Sequence, residues 1–276
     1  MKHSFILLLS VCLLIMGART VREPSVAARL THDYVFIPSG REGDSILPEY
    51  YISAIEITNG QYLDFVNDLI DSGATAKLKM ATVDVLQWKK FMPRTTVFVE
   101  KYFQHPAYRD YPVVNVSRRA AELYCDWLTE RYNRHSKQKV RFSLPTELQW
   151  QYAARGGNQK AKYPWPGNSL TYTKRGKFFG SYMANYLRDT TLTADQYLNS
   201  DTVAITSPSR SYMPNTYEIY NMCGNVAEMI ADHDYTKGGS YLSHADRLLI
   251  SAHEDADLTH GQPMIGFRPV MVFVKE

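Results

Sequence analysis

The chain has 276 residues, 45% of them hydrophobic and 21% charged. That is the composition of a folded globular protein, and it excludes a disordered, collagen-like or coiled-coil chain. Its 31 basic and 28 acidic residues leave a net charge of +3, too small an excess to argue for a nucleic-acid partner or for general attraction to an anionic membrane. Aromatic residues make up 13%, and 20 residues are tyrosine, a supply of large amphipathic side chains suited to pinning loops.

In chain order, the first feature reads as a targeting segment. Lys2 supplies a basic start, Phe5 to Met16 is an apolar run of 12 residues, and Gly17-Ala18 offers small residues for cleavage ahead of Arg19 and Arg22. The run is shorter than the roughly 18 apolar residues of a membrane span, and no later stretch reaches that length. Residues 1–18 are expected to be a signal peptide, and the protein to be exported: periplasmic, displayed at the cell surface or secreted. A lipid on Cys12 is the one route to membrane attachment, and Val11 stands where such a site wants a small residue. Residues 19–32 read as a leader and 33–276 as one domain, since no repeat, linker or charge block divides them.

Tyr34-Val-Phe-Ile37 reads as a strand ended by Pro38-Ser39-Gly40. Thr58-Asn-Gly-Gln61 is a capping box, and Tyr62, Phe65, Val66 and Leu69 follow at helical spacing. A second helix starts at Ser117 with Ala120, Tyr124, Trp127 and Leu128 on one face. A third opens on the capping box Thr146-Glu-Leu-Gln149, carries Trp150, Ala153 and Ala154, and stops at Gly156-Gly157. From 158 to 237 periodicity is lost among Tyr, Asn, Pro, Gly and Ser. A stretch that long needs side-chain hydrogen bonds, aromatic packing or ions to satisfy its backbone.

Several segments then stand out in order: Glu56-Ile-Thr-Asn-Gly-Gln-Tyr62, Tyr111-Pro-Val-Val-Asn-Val-Ser117, Leu144-Pro-Thr-Glu-Leu-Gln-Trp150 with Tyr152-Ala-Ala-Arg-Gly-Gly157, Tyr163-Pro-Trp165, Ala184-Asn185, Asn221-Met-Cys-Gly-Asn-Val-Ala-Glu228, Lys237-Gly-Gly-Ser-Tyr241 and Gly266-Phe-Arg268. This series resembles the formylglycine-generating-enzyme, or sulfatase-modifying factor, family. The resemblance implies an α+β fold, a single loop-rich domain related to the C-type-lectin fold.

Oxidase members of that family convert a substrate cysteine to formylglycine with copper(I) and oxygen, and bind the metal by two cysteines shortly after the Gly-Gly-Ser motif. Copper(I) is soft and wants thiolates. Here Ser243 stands where the first thiolate belongs, and no cysteine occurs from Gly224 to Glu276. The residues therefore argue against copper and against the family oxidation. Ala227 and Met229 also replace the tryptophans usual in the Gly-Asn-Val motif, and Arg118 stands where tryptophan is common. Ser240, Ser243 and His244 are left as candidates for lining a residual cleft.

Two calcium ions organise the loop-rich half in the family. The resemblance maps Asn185, Tyr186, Asp201 and Val203 onto one site and Asn221, Gly224, Val226 and Glu228 onto the other. Side-chain and backbone oxygens of this kind suit calcium. Cys125 has lost the partner the family would supply, since Pro269 stands in its place. A Cys125–Cys223 bridge and two buried thiols remain as alternatives. His244, His253, Glu254, Asp255, Asp257 and His260 follow no metal-ligand spacing and read as a solvated loop.

The expectation is an exported, non-catalytic member, a pseudoenzyme acting as a calcium-stabilised component of the bacterial cell envelope with a protein partner there. Cysteine-less relatives in gliding motility and type IX secretion give that role its precedent. The alternatives are an oxidoreductase of the formylglycine-generating type, a non-haem metal enzyme on the same fold, and, on fold alone, a calcium-dependent carbohydrate binder.

Overall fold

The computed structural model describes residues 33–91, 97–189, 191, 193, 196 and 205–274. The expected signal peptide, the leader and Cys12 lie outside them, as do Asp201 and Val203. Tyr34–Ile37 (β1) pairs antiparallel with Tyr50–Ser53 (β4), and between them Gly40–Glu42 (β2) and Ser45–Leu47 (β3) form a two-stranded ribbon. β4 then pairs with Val270–Phe273 (β10), and β10 with Val140–Ser143 (β5), to give the sheet order β1-β4-β10-β5.

The helices begin where their caps require. Asn59–Asp71 (α1) is capped by Thr58, whose side chain accepts from the Gln61 amide while Gln61 returns a hydrogen bond to the Thr58 amide. Replacing Thr58 with alanine removes one of those bonds and is expected to cost about 1 kcal/mol, seen as an earlier urea midpoint. An unchanged midpoint would mean that packing alone holds α1. Two short helices, Thr75–Ala81 (α2) and Gln87–Phe91 (α3), and a third, Val97–Lys101 (α4), lead to Arg118–His135 (α5), capped by Ser117. Glu147–Ala154 (α6) repeats the capping box with Thr146 and Gln149. It ends at Gly156 and Gly157, both at positive φ, a conformation a Cβ would resist.

α1 and α5 pack on one side of the four-stranded sheet. Tyr62, Phe65 and Leu69 meet Ala120, Tyr124 and Leu128 there, with Phe142, Phe267 and Met271 from the sheet region; Trp127 is half-buried at the edge and donates to Asp68 at 2.9 Å. α6 belongs to a second core in which Trp150, Ala153 and Ala154 join Ile37, Ile52, Trp165, Met222 and Ile250. The long loop region of 158–226 contributes one isolated bridge, Thr171 to Tyr182, among the described residues. Regular structure resumes with Ala227–Met229 (β6), Tyr235–Lys237 (β7), His253–Asp255 (β8) and Ile265–Gly266 (β9), a second sheet of order β8-β7-β6-β9 in which β6 and β9 run parallel.

Candidate functional site

The second sheet and the loops around it gather the motif residues into three connected polar groups. The deepest lies between the two sheets. Glu228 on β6 is forked by Arg268: Nε donates to both carboxylate oxygens at 2.9 and 2.7 Å, and Nη2 to Oε1 at 2.6 Å. Trp150 Nε1 adds a bond to Oε2 at 2.8 Å. Nη1 donates to the Ser53 carbonyl and Nη2 also to that of Tyr220. Glu228 and Arg268 are both buried, where a fork with every guanidinium nitrogen engaged is the arrangement that tolerates loss of water.

Glu56 lies beside this pair, also fully buried. It accepts from Asn221 Nδ2 at 3.1 Å and Asn225 Nδ2 at 3.0 Å. Both asparagines sit at positive φ, 50° and 66°, which asparagine tolerates better than most residues. Gly224 between them has φ +80°, and a Cβ there would stand 2.5 Å from the Asn185 carbonyl. Burial raises the Glu56 carboxyl to about 8; the Glu228 charge adds to the rise, while Arg268 and the two amides oppose it.

The second group faces outward along β7. Lys237 is buried and donates to Glu147 Oε1 at 3.1 Å, with its ammonium 5.7 Å from the centre of the Trp150 ring. Tyr235 donates to the other Glu147 oxygen at 2.7 Å and is stacked between the rings of His233 and His253, at 4.6 and 4.2 Å. Burial lowers the affinity of Lys237 for its proton, against the pull of Glu147. At Glu147 itself burial is outweighed by these hydrogen bonds, so its carboxyl is held below the usual range.

The third group is the expected cleft. Gly238 and Gly239, at φ +86° and +66°, turn the chain so that Ser240 and Ser243 face each other at 3.3 Å. The Ser243 hydroxyl donates to Glu254 Oε2 at 2.6 Å and accepts from the Ser240 amide at 2.9 Å. His244 follows at the head of the 3-10 turn Ala245–Leu248, its Nδ1 buried with no hydrogen-bond partner among the described residues. Where a copper thiolate would be needed there is a serine hydroxyl already tied to a carboxylate. The thiols of Cys125 and Cys223 are free and buried in separate cores, and burial raises both well above the usual thiol value. Neither bridge nor nucleophile is formed from them.

The expected calcium ligands are placed as follows. Asn185 is buried and donates to the Ile205 carbonyl at 2.8 Å, and Tyr186 follows it; Asp201 and Val203 lie outside the described residues. Asn221, Gly224 and Val226 line the Glu56 loop. Glu228 does not fit the role: its acceptor positions are taken by Arg268 and Trp150, so a calcium held here would rest on Asn221 and backbone carbonyls instead. Among the described residues no three His, Cys, Asp or Glu side chains converge as metal ligands. His253 is stacked on Tyr235, Glu254 is bound by Ser243, and Asp257 holds Thr259 and His260.

Comparison with known proteins agrees with this arrangement. A family profile described as the sulfatase-modifying factor enzyme 1-like domain matches residues 26–272. The chain belongs to the sulfatase-modifying factor family. Over 123 residues, 45% of the chain, it is 37% identical to the formylglycine-generating enzyme of Thermomonospora curvata, and that match covers 34% of the enzyme. The chain thus spans about a third of that relative's length. A longer match, 26% identical over 76% of the chain and 72% of the relative, is to the inactive C-alpha-formylglycine-generating enzyme 2 of Bos taurus. Among solved structures, PvdO from Pseudomonas aeruginosa aligns over 86% of the chain and 93% of its own, with a TM-score of 0.55 at 18% identity. CarF aligns over 86% and 97%, also with a TM-score of 0.55. These two show that the family member has the fold of that group.

Sequence reasoning placed Ser240, Ser243 and His244 together at one turn and missed Glu254, whose contact with Ser243 joins β8 to the loop without any motif. It also gave no role to Glu56, Lys237 or Arg268, although each lies inside a quoted segment.

Proposed function

We propose that this sulfatase-modifying factor domain works by binding, as a calcium-stabilised component of the bacterial cell envelope, and not by oxidising cysteine. The observation that carries the reading is Ser243: its hydroxyl occupies the place of a copper thiolate and is engaged by Glu254. The similarity to inactive formylglycine-generating enzyme 2 is consistent with a member kept for its surface. Calcium would be held by Asn185, Tyr186, Asp201 and Val203, and by Asn221 with the Gly224 and Val226 carbonyls. Its contribution would be to fix loops that lack a β-ladder. The envelope partner would be a protein, of the kind assembled in gliding motility or type IX secretion.

A second reading, an oxidoreductase with a changed metal, is favoured by one observation: His244 Nδ1 is buried without a hydrogen-bond partner among the described residues, next to the Ser243–Glu254 pair. Mass-spectrometric metal analysis of the purified protein, as isolated and after copper(I) loading, beside a cysteine-peptide oxidation assay, separates the two. The expected result is bound calcium, a melting temperature that falls in EGTA, and no aldehyde product. Stoichiometric copper or iron with peptide turnover would overturn the binding reading.

A further inference from the structure

Residues 173–182 are exposed without interruption and carry Lys174, Arg175, Lys177, Phe178, Phe179 and Tyr182. The base of this loop is firmly built. Thr171 bridges Tyr182, the Tyr172 amide donates to the Ser181 carbonyl at 2.8 Å, and the Met183 amide donates to Leu170 at 2.9 Å. Trp165 and Met183 are buried beneath it in the second core. At the tip the Phe179 amide closes a turn onto Gly176 at 3.1 Å. The turn leaves Phe178 42% and Phe179 63% exposed.

Other exposed apolar side chains, such as Ile46 and Leu86, lie at separate points of the chain and are ordinary for a folded surface. The two phenylalanines are instead part of a patch. Phe178 lines a cavity of about 480 Å³ with Tyr172, Tyr182, Arg188 and Met213.

The charge around this patch is one-sided. Between residues 148 and 188 there are seven lysines and arginines and no aspartate or glutamate, although the whole chain is nearly balanced. Arg155 is used by Glu42 at 2.7 Å. Lys174, Arg175, Lys177 and Arg188 make no ion pair among the described residues. Arg188 lies 3.8 Å from the centre of the Tyr182 ring, and Lys177 5.5 Å from that of Phe178. Adjacent phenylalanines at a turn tip, flanked in sequence by cations without an ion pair among the described residues, match the layering of an anionic bilayer, whose acyl region lies beneath phosphate headgroups.

We propose that the loop at residues 173–182 docks this protein on an anionic lipid surface, with Phe178 and Phe179 entering the acyl boundary and Lys174, Arg175 and Lys177 meeting the headgroups. The site is remote in sequence from the Ser243 cleft and does not depend on how that cleft is read.

The test is flotation of the full chain with vesicles of phosphatidylcholine alone, and of phosphatidylcholine and phosphatidylglycerol in equal parts. Preferential, salt-sensitive binding to the second is expected. The triple change K174Q/R175Q/K177Q should weaken it roughly 100-fold, at about fivefold per cation near the surface. F178S/F179S should weaken it while leaving the salt dependence in place. Because the apolar run at 5–16 would partition into both vesicles alike, only the difference between them reports on the loop. F179W provides a reading that does not depend on affinity, since its fluorescence should be quenched by brominated acyl chains. Equal binding to both vesicles, binding to neither, or insensitivity to both sets of loop changes would overturn the proposal. So would tight capture by immobilised polyglutamate with no loss in F178S/F179S, which would assign the cations to an acidic protein.

Discussion

Replacing Arg268 with methionine is expected to leave the protein largely unfolded. The substitution removes the guanidinium that forks Glu228 and strands that buried carboxylate beside Glu56. It also frees the carbonyls of Ser53 and Tyr220, which tie β4 and the long loop to this point. Breaking one side of a buried pair costs about 3–5 kcal/mol, a large part of the stability of an ordinary domain. Lysine should rescue only weakly, since a single ammonium cannot reproduce the fork together with two carbonyl bonds. The double change E228Q/R268M should recover part of the loss, because it removes the stranded charge. Soluble yield and urea unfolding read the series. An R268M protein as stable as the parent would show that the Arg268 fork is not what holds Glu228 in the core.

Stability should fall as the pH rises from about 5 to 8, and Glu56 should be responsible. Unfolded, its carboxyl ionises near the ordinary value of 4.5; folded, burial raises that to about 8. Between these values the folded protein keeps a proton that the unfolded chain has lost. Stability is therefore fully present below the lower value and declines until the upper one is passed. At about 1.4 kcal/mol per pH unit, the decline between pH 5 and 7.5 is on the order of 3 kcal/mol. Glu56→Gln is neutral throughout, so the difference between E56Q and the parent should grow in favour of the variant across this range. Urea midpoints in EGTA, taken at half-unit steps, measure it. A difference that stays constant with pH would mean that Glu56 titrates near its ordinary value.

Much of the helical frame was legible from local signals. Thr58 with Gln61 and Thr146 with Gln149 announce helices because both partners of a capping box lie within one turn. Ser117 does the same for α5. The polar interior was not legible in that way. Glu56, Glu228 and Arg268 sit in three motifs far apart in the chain, and only the packing of two sheets brings them together. Ser243 drew attention through the resemblance, which sets it at the thiolate place, whereas its partner Glu254 comes from a strand with an exposed, unpatterned sequence. The nearly neutral total charge likewise concealed the run from 148 to 188, since a sum over the whole chain discards position.

The placement of β10 has a bearing on how the protein is made. Its residues 270–273 come after every other strand in chain order, yet they lie in the middle of the first sheet, between β4 and β5. Until they leave the ribosome, the β1–β4 pair and β5 have no common neighbour. Loop closure across more than a hundred residues then has to precede most of the stabilising contacts, which makes folding slow and late. The first sheet thus stays unclosed until residues 270–273 have been made, and a holding chaperone has the whole of that interval in which to engage it.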